Sequence, residues 1–271
     1  MFTHLHVHTE KSLLDGAAKI KDLIDSAKEM GMDSIAITDH GNMFGVIDFW
    51  EYAKAQGIHP VLGCEVYTAA RTMTDRDTEE DRKSGHLILL AENDEGYHNL
   101  MKLVSAAYTK GYYYKPRVDE DLLRQYSSGI IALSACIAGR VPQAILNNDY
   151  EKAKKEALNY VDIFGKDNFF LELQYQGLEE EEIYNPQLIK MSKELDIGLV
   201  VTNDVHYTKQ EHAKAQEVLM CIQMGKTLRQ DGKYSFGSDQ FYLKSEDEMR
   251  KLFPEVPEAF DNTHKIAHRC N

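Results

Sequence analysis

Three short, widely separated segments of this 271-residue chain end in side chains that bind metals: His6-Val7-His8, Asp39-His40 and Asp204-Val205-His206. Each follows an apolar run that reads as a buried strand, over 2–5, 34–38 and 198–202. Residues i and i+2 of a strand project to one face, so His6 with His8, and Asp204 with His206, can each offer two donors to one pocket. Such donors recurring at strand C-terminal ends imply a multinuclear metal site in the mouth of a barrel. Ions held there could activate a bound water.

Other residues extend the set, each with a plainer alternative. Asp15, in Ser12-Leu13-Leu14-Asp15-Gly16, reads equally as a ligand or as the cap of the helix that follows. Of Asp39 and His40, one binds metal and the other orients it, because Gly41 turns the backbone and exposes both. Glu65, in Gly63-Cys64-Glu65, sits in an apolar strand where a bare carboxylate is expensive to bury and a cation removes the cost. Its alternative is a surface-facing strand position. His86 opens another apolar run and by itself reads as structural. Cys136 leaves a strand; a buried cysteine is ordinarily a small hydrophobe, yet beside cations its thiolate is a strong zinc ligand.

Positioning these groups takes an alternation of strands and helices. Strands are expected over 2–7, 34–38, 59–67, 86–91, 129–134, 168–174 and 198–202, with a small one near 240–243. Helices are expected over 18–30, 43–56, 95–109, 119–126, 139–147, 149–164, 180–196 and 209–224, then two short terminal ones. Gly31 and Gly57 stop the first two. The charged stretch from Arg71 to Ser84 lacks apolar periodicity and reads as an exposed loop, and Glu179 to Glu182 as the solvated, dipole-favoured start of a helix. Roughly seven strand-then-helix repeats describe a parallel sheet covered by helices, and ligands at several strand ends favour a closed barrel.

Composition limits the partners. A formal charge of −13 argues against an extended phosphate-binding surface, so a nucleic-acid partner would be engaged only at an end. Four scattered cysteines match neither a disulfide framework nor a C-x-x-C knuckle, and are expected as reduced thiols. With no secretory leader and no membrane-length apolar run, the chain is expected to be cytoplasmic and to have no membrane partner.

The ordered series His4-Leu5-His6-Val7-His8-Thr9, Ser12-Leu13-Leu14-Asp15-Gly16-Ala17, Ile37-Thr38-Asp39-His40-Gly41, Tyr112-Tyr113-Tyr114-Lys115-Pro116-Arg117 and Thr202-Asn203-Asp204-Val205-His206-Tyr207 resembles the PHP (polymerase and histidinol phosphatase) family. It is most similar to the branch at the N-terminus of bacterial replicative DNA polymerase III alpha subunits. The resemblance spans essentially the whole chain and implies one domain, 1–271, with a distorted (β/α)7 barrel, as the start of a longer polymerase. The end at Ile266 to Asn271, without a capping signature, fits that expectation.

The resemblance further implies a partition of ligands among up to three ions. His6, His8, Glu65 and Asp204 would hold one, Glu65 would bridge to a second held by His86 and Cys136, and Asp15, His40 and His206 would hold a third. Stand-alone phosphatases commonly carry histidine in the places of Asp15 and Cys136, which points to the polymerase branch. All nine places hold competent side chains here, the main reason to expect activity. Mixed N, O and S donors favour zinc, and the carboxylates admit manganese. The implied reaction is 3′-to-5′ exonuclease hydrolysis at a DNA 3′ end, with Asp39, Glu65 and His206 assigned to catalysis and Arg117 or Arg140 to the scissile phosphate. Implied partners are the other polymerase domains and replisome subunits. Two other readings stand beside it: a metal-stabilised docking domain without chemistry, and a free phosphomonoesterase. The aromatic-basic run 112–117 either stacks on DNA or, as buried aromatics more often do, fixes a loop.

Overall fold

The structure is a computed structural model that describes residues 1–13, 15–228 and 236–271. Strands β1 (Ser34–Ile37), β2 (His59–Ala69), β3 (Ser84–Ala91), β4 (Tyr112–Tyr113), β5 (Lys115–Val118), β6 (Ile130–Leu133), β7 (Phe169–Leu173) and β8 (Gly198–Val201) form one mixed sheet in the order β4-β5-β2-β3-β6-β7-β8, with β1 on β2. The N-terminal segment closes the ring. Ala36 N and Thr38 N donate to the carbonyls of His4 (2.9 Å) and Val7 (2.8 Å) on one side. On the other, Val205 N donates to His6 O (3.1 Å) and His8 N to Val205 O (2.7 Å). The expected strand 2–7 is therefore present as an extended stave, but only Val7 makes a ladder bridge, to Val205. Seven staves result: this segment, β1, β2, β3, β6, β7 and β8, in a distorted (β/α) barrel.

The expected all-parallel sheet fails at β3, which runs antiparallel to both β2 and β6. Parallel return needs a crossover, usually a helix, and between β2 and β3 the chain supplies only the charged loop with one short turn at Glu80–Arg82. It therefore doubles straight back. The consequence is functional: the start of β3, where His86 lies, falls at the rim occupied by the C-terminal ends of the other strands.

Helices cover the outside, including α1 (Ile20–Glu29), α2 (Val46–Gln56), α3 (Asp94–Thr109), α4 (Glu120–Gln125), α5 (Arg140–Leu146), α6 (Tyr150–Phe164) and α7 (Glu179–Leu195). α8 (Ala213–Gln223) and α9 (Glu246–Leu252) follow, then α10 (Pro257–Arg269). Strand alternation divides the core. Ile88 and Leu90 of β3 join Leu5, Val61, Leu133 and Val200, whereas Leu87 and Leu89 pack outward with Leu100, Leu103 and Phe169. Ile266, Ala267 and Cys270 belong to the first group, so α10 plugs the end opposite the mouth. All four cysteines are buried and free. Among the described residues no helix is long and apolar enough to cross a membrane.

Three local expectations change. α1 is capped by Glu10, whose Oε2 accepts from Ile20 N (2.8 Å), which leaves Asp15 for another role. Glu181 is not solvated: it is buried, and its carboxylate accepts from the backbone N–H groups of Gln176 and Leu178 that begin α7. The expected strand near 240–243 reduces to a single bridge between Tyr207 and Tyr242.

Lys244 anchors that segment beneath the exit of β8, its ammonium donating to Asn203 Oδ1 (3.2 Å) and Gln240 O. Burial pushes its pKa from 10.5 down to about 8. Between those values the folded state holds fewer protons than the unfolded chain, so this group's contribution to stability rises with pH. Denaturant unfolding of wild type and K244M across pH should show their stability difference climbing by up to roughly 3 kcal/mol over that window in favour of wild type. A difference that is independent of pH contradicts a buried, charge-disfavoured lysine.

Candidate metal centre

Most of the predicted ligands arrive at one rim because of where their strands end, and Asp15 reaches it from the loop before α1. His6 and His8 leave the closing stave, His40 follows β1, Cys136 follows β6, and Asp204 and His206 follow β8. Glu65 lies within β2, bridged to His40, and His86 starts the reversed β3. The backbone bends sharply at these exits. Ala135 and Asp204, at the exits of β6 and β8, both adopt left-handed φ, +63° and +47°. Gly41 (φ +60°) carries the turn after His40, where a Cβ would come within 2.9 Å of the Tyr67 ring.

The nine side chains converge. His6, His8 and Glu65 are fully buried at the floor, while Asp15, His40, His86, Cys136, Asp204 and His206 line a cavity of about 520 Å³ above them. Nε2 of His6 and Nε2 of His8 are 3.0 Å apart, and each lies 3.1 Å from Asp204 Oδ1. Glu65 sits among four groups: Oε1 is 3.3 Å from His6 Nε2, 2.9 Å from His86 Nδ1 and 3.9 Å from Cys136 Sγ, and Oε2 contacts His40 Nδ1. His40 Nε2 is 3.1 Å from Asp15 Oδ2, and the His8 ring stacks between those of His40 and His206 at 4.0 and 4.3 Å.

Hydrogen bonding on the far side of each ring determines which nitrogen faces the cavity. Ser12 Oγ donates to Asp39 Oδ1 (3.0 Å), so it can only accept from His8 Nδ1 (2.9 Å), and His8 Nε2 keeps its lone pair inward. His6 Nδ1 donates to Glu172 Oε1 (2.7 Å), and His206 Nδ1 to the Asp204 carbonyl (2.8 Å), with the same result. His206 Nε2, Asp204 Oδ1, Glu65 Oε2 and Asp15 Oδ1 are all buried without a hydrogen bond of acceptable geometry. Buried polar atoms are ordinarily satisfied, and a cluster of orphaned donor atoms aimed at one space fits divalent ions. These residues can hold metal in overlapping groups: His6, His8 and Asp204; His8, His40 and His206; His40, Glu65 and His86.

Burial would lower His6 and His40, but the adjacent carboxylates outweigh it, Asp204 and Glu172 for His6 and Glu65 and Asp15 for His40. Both rings are held well above the usual imidazole range, so a bound cation would have to displace a proton from each. Burial would raise the carboxyl groups of Glu65 and Asp204, but the neighbouring histidines outweigh it and hold both well below the usual range, ionised. Burial, with His40 and His206 beside it, pushes His8 down to about 3 and keeps it neutral, the form that binds a cation. For Cys136, burial and then Asp204 and Glu65 push the thiol well above its ordinary pKa, so an adjacent cation is what would release its proton.

Asp39 does not line the cavity. Its carboxylate accepts from Thr9 N (2.6 Å), Thr9 Oγ1 (2.9 Å) and Ser12 Oγ, and reaches His8 only through Ser12. Arg117 is also placed elsewhere than a phosphate contact requires: its buried guanidinium donates to the carbonyls of Gly111, Met73, Asp75 and Asp81, which pins the 71–83 loop against the small β4–β5 hairpin. Arg140 pairs with Glu120 (3.0 Å) and Glu156 (3.5 Å) and lies outside the cavity lining. Among the described residues the lysine or arginine lining the mouth is Lys115, its Nζ 5.0 Å from the Tyr67 ring centroid. Glu172 went unnoticed in the sequence. It is fully buried in β7 and accepts from His6, Gln174 Nε2 (2.8 Å) and Thr202 Oγ1. Its signal was the one that marks Glu65, an acid within an apolar strand.

The PHP domain family matches residues 4–176. Over 271 residues, all of this chain, it is 47% identical to the DNA polymerase III subunit alpha of Treponema pallidum, of which it covers 23%. The same subunit of Thermus aquaticus is 43% identical over 277 residues, with 100% of this chain and 23% of that protein covered. The chain thus spans about a quarter of the length of these curated relatives. Among solved structures, a Chromobacterium violaceum amidohydrolase with bound sulfate and no metal aligns with TM-score 0.48 and 13% identity over 76% of this chain and 88% of that one. A two-domain Bacteroides vulgatus protein containing a predicted PHP-like metal-dependent phosphoesterase aligns with TM-score 0.47 and 14% identity over 97% and 63%.

Removing Glu172 should free the His6 ring. A competition titration with a chromophoric chelator is expected to show E172A binding zinc about 10- to 100-fold more weakly, and E172Q less affected. Equal affinity in all three proteins would mean that Glu172 does not orient the ligand.

Proposed function

The chain belongs to the PHP domain family, and on that premise we propose that its barrel mouth is a centre for up to three divalent ions that hydrolyses a phosphodiester at a DNA 3′ end. The observation that carries the proposal is the convergence of nine metal-competent side chains on one cavity, where His206 Nε2 and carboxylate oxygens of Asp15, Glu65 and Asp204 are buried without a hydrogen bond. His6, His8, Glu65 and Asp204 would hold one ion, Glu65, His86 and Cys136 a second, and Asp15, His40 and His206 a third. Cys136 and the five histidines favour zinc, and the three carboxylates admit manganese. Bound ions supply Lewis acidity and lower the pKa of water between them.

The chain's own residues do the rest. Ser12 and Asp39 hold His8, and Glu172 holds His6, so their inward nitrogens need no rearrangement when substrate enters. Glu65 sits at the centre of the ligand set and His206 lines the cavity above it, the two positions assigned to catalysis on this reading. Lys115 is the cation placed to take a phosphate oxygen, in the role first assigned to Arg117 and Arg140. A net charge of −13 suits a strand end that enters the mouth better than a duplex gripped along an extended phosphate-binding surface.

Similarity to polymerase III alpha subunits supports DNA as the substrate and a proofreading role. On this reading the chain is the N-terminal PHP domain of a longer cytoplasmic polymerase. Synthesis resides in its other parts, and replisome subunits are its partners.

The test is hydrolysis of a 3′-mismatched primer by the intact chain, with and without chelator, alongside measurement of bound metal. Wild type should be chelator-sensitive. H8A and D204A should each lose on the order of 100-fold or more, and K115M should raise KM more than it lowers kcat. Bound metal without hydrolysis would convert the domain to a metal-stabilised docking module. A wild type that binds no metal would overturn both.

A further inference from the structure

At the opposite end of the barrel a second group of donors meets. Asp33 lies immediately before β1, and His264 and His268 are one turn apart on α10. One ligand atom from each lies within 4.8 Å of the others. His268 Nε2 is 3.2 Å from Asp33 Oδ2 and His264 Nδ1 is 3.7 Å from Asp33 Oδ1. Those separations straddle the roughly 3.4 Å edge of a tetrahedral site built on bonds of about 2.1 Å.

We propose that Asp33, His264 and His268 form a separate divalent-metal site of the zinc class that clasps α10 to the base of the barrel.

Four observations carry it. Histidines at i and i+4 share a helix face, the spacing by which a single helix supplies two ligands to zinc. His264 Nδ1 is buried and has no hydrogen-bond partner, an orphaned donor turned toward Asp33. The other two groups are held in place from behind. Ser34 Oγ donates to Asp33 Oδ1 (2.8 Å), and the His268 ring lies parallel, at 11° and 5.7 Å, to that of His59, whose Nε2 donates to the carbonyls of Ala267 and Cys270. Finally, Asp33 and His268 are both partly exposed, so three protein ligands leave the remaining position open to solvent, as in zinc sites built from two histidines and a carboxylate.

The site would join groups 235 residues apart in sequence. α10 supplies Ile266, Ala267 and Cys270 to the barrel interior, and Thr263 Oγ1 accepts from Thr3 N in the closing stave (3.1 Å). A metal here would therefore tie the plug to the first strand and resist the opening of the barrel from below. None of these residues touches the mouth.

Counting zinc in separate backgrounds tests the proposal independently of the mouth. After equilibration at a buffered free zinc concentration, H264A/H268A should carry about one equivalent less than wild type. H8A/D204A should keep that equivalent and lose it when the two sets of substitutions are combined. Zinc should also raise the Tm of H8A/D204A but not that of the combined variant. Should the substituted chains fail to fold, long-range nitrogen–proton spectra of wild type serve instead, with zinc expected to shift the imidazole nitrogens of both His264 and His268. An unchanged zinc count in both backgrounds, or histidine signals that do not move, overturns the clasp whatever the mouth binds.

Discussion

Glu65 places a carboxylate where solvent does not reach it, with His6, His40 and His86 against its two oxygens. A buried charge of this kind is tolerated only if compensated. The histidines hold it ionised, yet the Nε2 atoms of His6 and His8 are 3.0 Å apart, a distance at which both cannot carry protons. A multivalent cation resolves both problems at once, since it neutralises the carboxylates and accepts the imidazole lone pairs. The left-handed backbone at Ala135 and Asp204 follows from the same constraint, because an ordinary strand exit would not turn Cys136 and Asp204 inward.

The barrel serves that constraint in two ways. Parallel staves bring their C-terminal ends to one rim, and the reversal of β3 adds His86 from a strand's beginning. A helical crossover before β3 would have carried His86 to the far end, out of reach of Glu65. Meanwhile α10 seals the base with apolar side chains, so the polar cluster opens in one direction only. The hydrogen-bond chains from Asp39 through Ser12 to His8, and from Glu172 to His6, hold the floor rigid, as is required of groups that must meet ions without rearranging.

Much of this was legible in the sequence because it rests on local rules. The i, i+2 pair at 6/8 and a lone acid among apolar residues at Glu65 are statements about strands that need no tertiary knowledge, whereas Asp204 and His206 meet through a left-handed turn beyond β8 and not through strand alternation. What escaped was non-local. Whether β3 ran up or down depended on what the 71–83 loop did not contain. Arg117 reads as a phosphate contact because three of its four carbonyl partners come from a loop distant in sequence, whereas Lys115, in the same aromatic-basic run, is the residue that faces the mouth. Glu172 shows the opposite failure, since its local signal was present and went unread. Asp15 could not be assigned until Glu10 was seen to cap α1.

Anomalous diffraction from crystals of the intact chain, collected on both sides of the zinc and manganese absorption edges, tests the central claim most directly. Two or three peaks are expected in the barrel mouth, each about 2.0–2.3 Å from its ligands, with Glu65 shared between two of them. A mouth without anomalous density after metal soaking, with the His6 and His8 rings turned away from one another, would contradict a metal centre there.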